Sequence, residues 1–67
     1  MKKITDQEQL ILISISEYIN DNEQNPSVRD IALDLNKSTS TIHYHLVKLK
    51  QKKIIDYTKK KRSIVIN

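Results

Sequence analysis

Apolar positions along this chain come in short groups whose period changes from helical to alternating towards the C-terminus. Ile11, Leu12, Ile15, Tyr18 and Ile19 recur on one helical face,. Thr5-Asp6-Gln7-Glu8 has the capping-box form, a hydroxyl at the N-cap with a carboxylate three residues on, so a first helix is predicted to open there and run to about Asn20,. At about 100° per residue, Leu10 and Ile13 fall on the side opposite that stripe and are expected to be exposed. Asp21 to Pro26 is a polar loop. Ser27 then caps a second helix of about two turns with Asp30 at its third position, and Val28, Ile31, Ala32 and Leu35 form its buried face,. Asn36-Lys37 supplies the turn, since Asn enters the left-handed region more readily than other residues with a Cβ.

Ser38 caps a third helix, roughly Thr39 to Lys52, that carries two stripes. Ile42, His45, Leu46 and Leu49 read as a core face. Ser40, His43, Tyr44 and Val47 share the same spacing, yet they are short, hydrogen-bonding and mildly apolar where a merely solvated face would more often hold Glu and Lys. Two β-prone runs follow, Ile54 to Tyr57 and Ser63 to Ile66, joined by Thr58-Lys59-Lys60-Lys61-Arg62, which predicts a hairpin with a basic tip,. The expected fold is mainly α with a small β-hairpin, a three-helix winged helix-turn-helix.

At 67 residues the chain is read as one domain, residues 1–67,. Hydrophobic residues make up 37% and charged residues 30%, enough apolar material for a core and too much for a disordered tail,. The absence of cysteine removes disulfides, thiolate zinc sites and thiol nucleophiles,. The longest apolar run, Leu10 to Ile13, is too short for a membrane span or signal peptide, and a cytoplasmic protein with no membrane partner is expected. The net charge of +4 conceals a division at residue 34: three basic residues face seven acidic ones before it, and nine basic residues face Asp56 alone after it. That asymmetry is the footprint of a surface that docks phosphates, although a lysine-rich solvated face would look the same in sequence.

A short helix, a turn and a second helix with a polar outer N-terminal half is the arrangement whose second helix enters the DNA major groove. The N–H groups near Ser38 to Ser40 suit a phosphate oxygen, and lysines at the helix end and hairpin tip would release counterions. Arg29, Lys37 and Lys48 join the candidate phosphate contacts. His43 and His45 fall on different faces, which argues against a metal site, and no cofactor is expected. The acidic residues form no paired constellation and glycine is absent, so enzymatic chemistry has almost no support,. Leu10 and Ile13 are candidates for self-association, giving a homodimer on a palindromic operator; packing of one of them under the hairpin or the N-terminus is an equal alternative. The rival reading from another class is a protein-interaction module that binds another regulator or a replication protein.

Pro26-Ser27-Val28-Arg29-Asp30-Ile31 and Ser38-Thr39-Ser40-Thr41-Ile42-His43-Tyr44-His45-Leu46 with Leu49, together with Ile4-Thr5, Gln9, Thr58-Lys59 and the strand from Arg62 to Ile66, resemble the N-terminal DNA-binding domain of LexA repressors of the Gram-positive type. The likeness covers nearly the whole chain. It implies a transcriptional repressor of double-stranded DNA in which Ser38, Ser40, Thr41, His43 and Tyr44 read bases and Lys59, Lys60, Lys61 and Arg62 touch the backbone from the wing. The chain departs from that pattern with Asn36 and Lys53 where the family usually carries Gly, and with Tyr44 where Gram-positive relatives tend to have Gly. It ends after the wing strand, where LexA repressors continue into a self-cleaving, dimerising domain. An excised domain or a free-standing short regulator of phage or plasmid type is therefore expected.

Overall fold

The Thr5 hydroxyl accepts the Glu8 N–H at 3.1 Å, and a Glu8 carboxylate oxygen accepts the Thr5 N–H at 2.9 Å. This exchange satisfies two donors that a helix start otherwise leaves orphaned. In the computed structural model, which describes residues 3–58 and 63–67, it opens α1, Asp6–Asn22. Ser27 and Asp30 make the same exchange at 3.2 and 2.9 Å and open α2, Val28–Leu35. Ser38 opens α3, Thr39–Gln51, by accepting the Thr41 N–H at 3.2 Å. Strands β1, Ile55–Asp56, and β2, Val65–Ile66, pair antiparallel with Ile55 opposite Ile66 and Asp56 opposite Val65. The architecture is the three-helix winged helix-turn-helix that the patterning predicts.

Both strands are shorter than the apolar runs that mark them, and side chains account for the difference. Beyond Asp56, the Thr58 N–H donates to Ser63 Oγ at 3.3 Å while that hydroxyl donates to the Thr58 carbonyl at 2.8 Å, replacing ladder bonds at the mouth of the loop,. At the other end the Asn67 N–H donates to the Ile54 carbonyl at 3.0 Å. The basic tip, Lys59 to Arg62, lies outside the described residues.

Helix ends in a chain without glycine require other residues in the left-handed region. Glu23, Asn36 and Lys53 occupy it, with φ of 55°, 55° and 62°. After α2, the Lys37 N–H reaches the Ala32 carbonyl and the Asn36 N–H the Leu33 carbonyl; after α3, Ile54 reaches Leu49 and Lys53 reaches Lys50. Both are Schellman closures, with a left-handed residue where glycine is the commonest occupant. Asn36 is suited to this by its side chain. Lys53 is not, and its conformation is held by the turn that throws the chain from α3 into β1.

Ile11, Ile15, Ile31, Ala32, Ile42, Leu46 and Leu49 from the three helices meet Ile55, Tyr57 and Ile64 from the hairpin in one core. Burial of each large aliphatic side chain contributes about 1.5–3 kcal/mol. Two predicted faces need correction. Val47, assigned to the outer stripe of α3, is half-buried and packs on the core, because the hairpin folds against that side. His45, placed on the core stripe, is partly buried, as expected for a histidine there, but lies outside the core and stands edge-on to Tyr44 with ring centres 5.3 Å apart. Leu10 and Ile13 are exposed as expected, each at 47%.

Two polar residues are buried on α1. Ser14 donates to an Asp34 carboxylate oxygen at 2.5 Å and ties α1 to α2. Glu8 also accepts from Lys52 Nζ at 2.6 Å, and Lys52 donates to the Lys3 carbonyl at 2.7 Å. One carboxylate therefore caps α1 and anchors the chain just beyond α3. Burial pushes the Glu8 carboxyl upward, but hydrogen bonds from Lys52 and Thr5 and the Lys52 charge outweigh it and leave the group below its ordinary value,.

Candidate nucleic-acid interface

The start of α3 differs chemically from the other two helix starts. The Ser38 and Thr41 hydroxyls lie 2.8 Å apart, both exposed, and the first turn contains no acidic residue. Its free N–H groups and the positive end of the helix dipole thus face solvent with no carboxylate to oppose an approaching anion. Ser40 in that first turn and His43 and Tyr44 one turn on are exposed on a shared face,. Lys48 and Lys50 occupy the last turn, where they complement the negative end of the dipole,.

Tyr44 and His43, the two aromatic candidates for base reading, are placed by different contacts. Tyr44 is 57% exposed, with Lys48 Nζ 5.0 Å from its ring centre, a cation–π arrangement that holds the lysine alongside the helix,. His43 Nδ1 lies 2.8 Å from the Tyr57 hydroxyl, and the rings meet edge-on at 5.6 Å and 65°. The partner of His43 is therefore the residue that follows β1, which couples the hairpin to the outer face of α3. Tyr57 is itself buried, and that burial pushes its phenol above the ordinary value,.

Arg29 and Lys37, the candidate phosphate contacts from α2 and the turn after it, are exposed, as is Lys48. The wing candidates Lys59, Lys60, Lys61 and Arg62 lie outside the described residues. On the other flank of α3 an open groove of about 650 Å³ separates it from the start of α1, lined among others by Lys3, Tyr44, Lys48 and Lys52. Lys3 and Lys52 did not figure among the sequence candidates. Lys52 is engaged by Glu8, whereas Lys3 and Lys48 are exposed. Tyr57 was also missed, although the alternation of buried Ile55, exposed Asp56 and buried Tyr57 is the period of a strand with one face inward,. Among the described residues no cluster of His, Asp and Glu could hold a metal, and no helix is long and apolar enough to cross a membrane.

A helix with an acid-free N-terminus and a polar outer face, set on two supporting helices and flanked by a hairpin in a strongly basic half of the chain, defines a DNA-binding domain of the winged helix-turn-helix class. The LexA DNA binding domain family matches residues 1–63, and the chain belongs to that family. It is also 38% identical over 52 residues to the LexA repressor of Thermosipho melanesiensis (strain DSM 12029 / CIP 104789 / BI429), an alignment covering 78% of this chain and 26% of that protein. The chain thus spans about a quarter of the length of the curated relative it matches.

Proposed function

We propose that this domain is the operator-binding part of a transcriptional repressor, with α3 in the major groove of double-stranded DNA. Ser38, Ser40, Thr41, His43 and Tyr44 face base edges, and Arg29, Lys37, Lys48, Lys59, Lys60, Lys61 and Arg62 face phosphates. The observation that carries this reading is the acid-free, exposed first half of α3 within a segment holding nine of the twelve basic residues. Base contacts would specify the site and lysines would supply most of the affinity.

Two measurements separate these roles. With about six phosphates neutralised, log K should fall with log salt at a slope near −5, and alanine at Lys60 and Lys61 should flatten it. Alanine at Ser40, His43 or Tyr44 should cost roughly 1–3 kcal/mol on a selected duplex and little on random DNA. Equal losses on both duplexes would remove the base-reading assignment.

A single domain reading one half-site binds weakly, and two domains on a palindrome gain affinity by linkage. Leu10 and Ile13, exposed one turn apart on α1, are the surface proposed to meet a second copy. Lysine at both positions should lower the mass of the DNA-free species measured by light scattering; an unchanged mass eliminates this surface.

A further inference from the structure

The pairing of His43 with Tyr57 determines which kind of base His43 can read. Tyr57 is 7% exposed, and among the described residues the His43 ring nitrogen is the hydrogen-bond partner of its hydroxyl, at 2.8 Å. Either group could donate. If Nδ1–H donated to the phenolic oxygen, the phenolic hydrogen would have no acceptor among the described residues, a costly arrangement on a buried residue,. If the phenol donates, its hydrogen meets the sp² lone pair of a neutral imidazole and both groups are satisfied. A phenol is also the stronger acid of the two neutral donors. Burial and relative acidity both favour a hydrogen bond from Tyr57 to Nδ1, with the ring hydrogen on Nε2, the nitrogen turned away from Tyr57,.

We infer that Tyr57 is a positioning residue that holds His43 as an Nε2–H donor, so that α3 reads at this position a base with a major-groove acceptor, guanine, adenine or thymine, and disfavours cytosine. This deepens the proposed function and rests on its assignment of His43 to the base edge. Guanine offers O6 and N7, adenine N7 and thymine O4, whereas cytosine offers only its amino donor and would meet the Nε2–H with like polarity. The edge-on ring contact also restrains the imidazole plane. Tyr57 is in turn placed by the Schellman closure at Lys53 and Ile54 and by buried Ile55. The discrimination at His43 thus depends on how the hairpin leaves the end of α3.

The test combines imidazole ¹⁵N NMR of the free protein with a double-mutant cycle of Tyr57→Phe and His43→Ala on a duplex selected from random sequence. Phe keeps the buried ring, and thermal unfolding of each variant confirms the fold. The expected results are an Nε2-protonated ring whose Nδ1 resonance loses its hydrogen-bond shift in Tyr57→Phe, and a drop of about fivefold in affinity for the selected duplex. Random DNA should be unaffected, and Tyr57→Phe should have no further effect in the His43→Ala background. A hydrogen on Nδ1 in the unmodified protein overturns the inference and leaves the DNA reading standing. An equal loss from Tyr57→Phe with and without His43 overturns it by making Tyr57 merely structural. His43→Ala binding as well as the parent overturns both the inference and the base-reading role of His43.

Discussion

The starts of α1 and α2 are closed on themselves, each with a hydroxyl and a carboxylate exchanging hydrogen bonds with the backbone, whereas α3 has only hydroxyls in the same two places. Thr41 stands where α1 has Glu8 and α2 has Asp30. A carboxylate at this position would stabilise α3, because it would answer an orphan N–H and the helix dipole together. It would also place a negative charge where, on the proposed reading, a DNA phosphate or base acceptor approaches. α1 and α2 therefore carry the stabilising device and α3, the proposed reading helix, omits it. An absent carboxylate is informative here because the same chain shows twice how it uses one.

Substitutions that equalise the helix starts test this contrast, and the largest effect is expected at α1. Glu8→Ala removes the capping box and leaves Lys52 without its anion, so denaturant unfolding should show a loss of about 2 kcal/mol. The Glu8 carboxyl titrates below its ordinary value of 4.5 in the folded protein. Its contribution is therefore present above pH 4.5 and is lost as pH falls through the lower folded value. Glu8→Gln should flatten the decline of stability with acid over that window, and an unaltered profile would show that the ion pair contributes little. Thr41→Glu completes the box that α3 lacks. It should raise thermal stability modestly and weaken duplex binding about tenfold, a change of about 1.4 kcal/mol near the upper end of dipole and charge effects. Tighter binding would contradict the comparison.

Smaller effects are expected at the helix ends. Lys53→Gly relieves a left-handed lysine and should stabilise the domain by about 1 kcal/mol, the left-handed strain less the extra chain entropy of glycine. Asn36→Gly, at a residue already suited to that region, should change stability by only a few tenths of a kcal/mol. If calorimetry finds the two equal, the ranking of lysine and asparagine at these closures is wrong.

Local spacing made much of this legible. Thr5 with Glu8 and Ser27 with Asp30 sit three residues apart, so both capping boxes and the registers of α1 and α2 follow from sequence. The stripe of Ser40, His43 and Tyr44 was visible for the same reason. Contacts between distant residues were not. Glu8 meets Lys52 across 44 positions, Ser14 meets Asp34 across 20 and His43 meets Tyr57 across 14. No period in the chain encodes those pairings, which arise only when the helices pack. The faces of Val47 and His45 were misread on the same ground, because the hairpin chooses which flank of α3 it covers. Lys53 gave no local sign of its left-handed conformation, since lysine has no side-chain group that favours one.

Selection of random DNA duplexes by the purified protein near physiological salt tests the central claim most directly. A recurring motif, arranged as a palindrome when two domains pair, is the predicted result, with its most constrained positions lost in the Ser40, His43 and Tyr44 alanine variants. Retention of DNA without an enriched sequence, abolished by a modest rise in salt, would show that the basic half meets polyanions unselectively and would contradict the account of α3 as a reading helix.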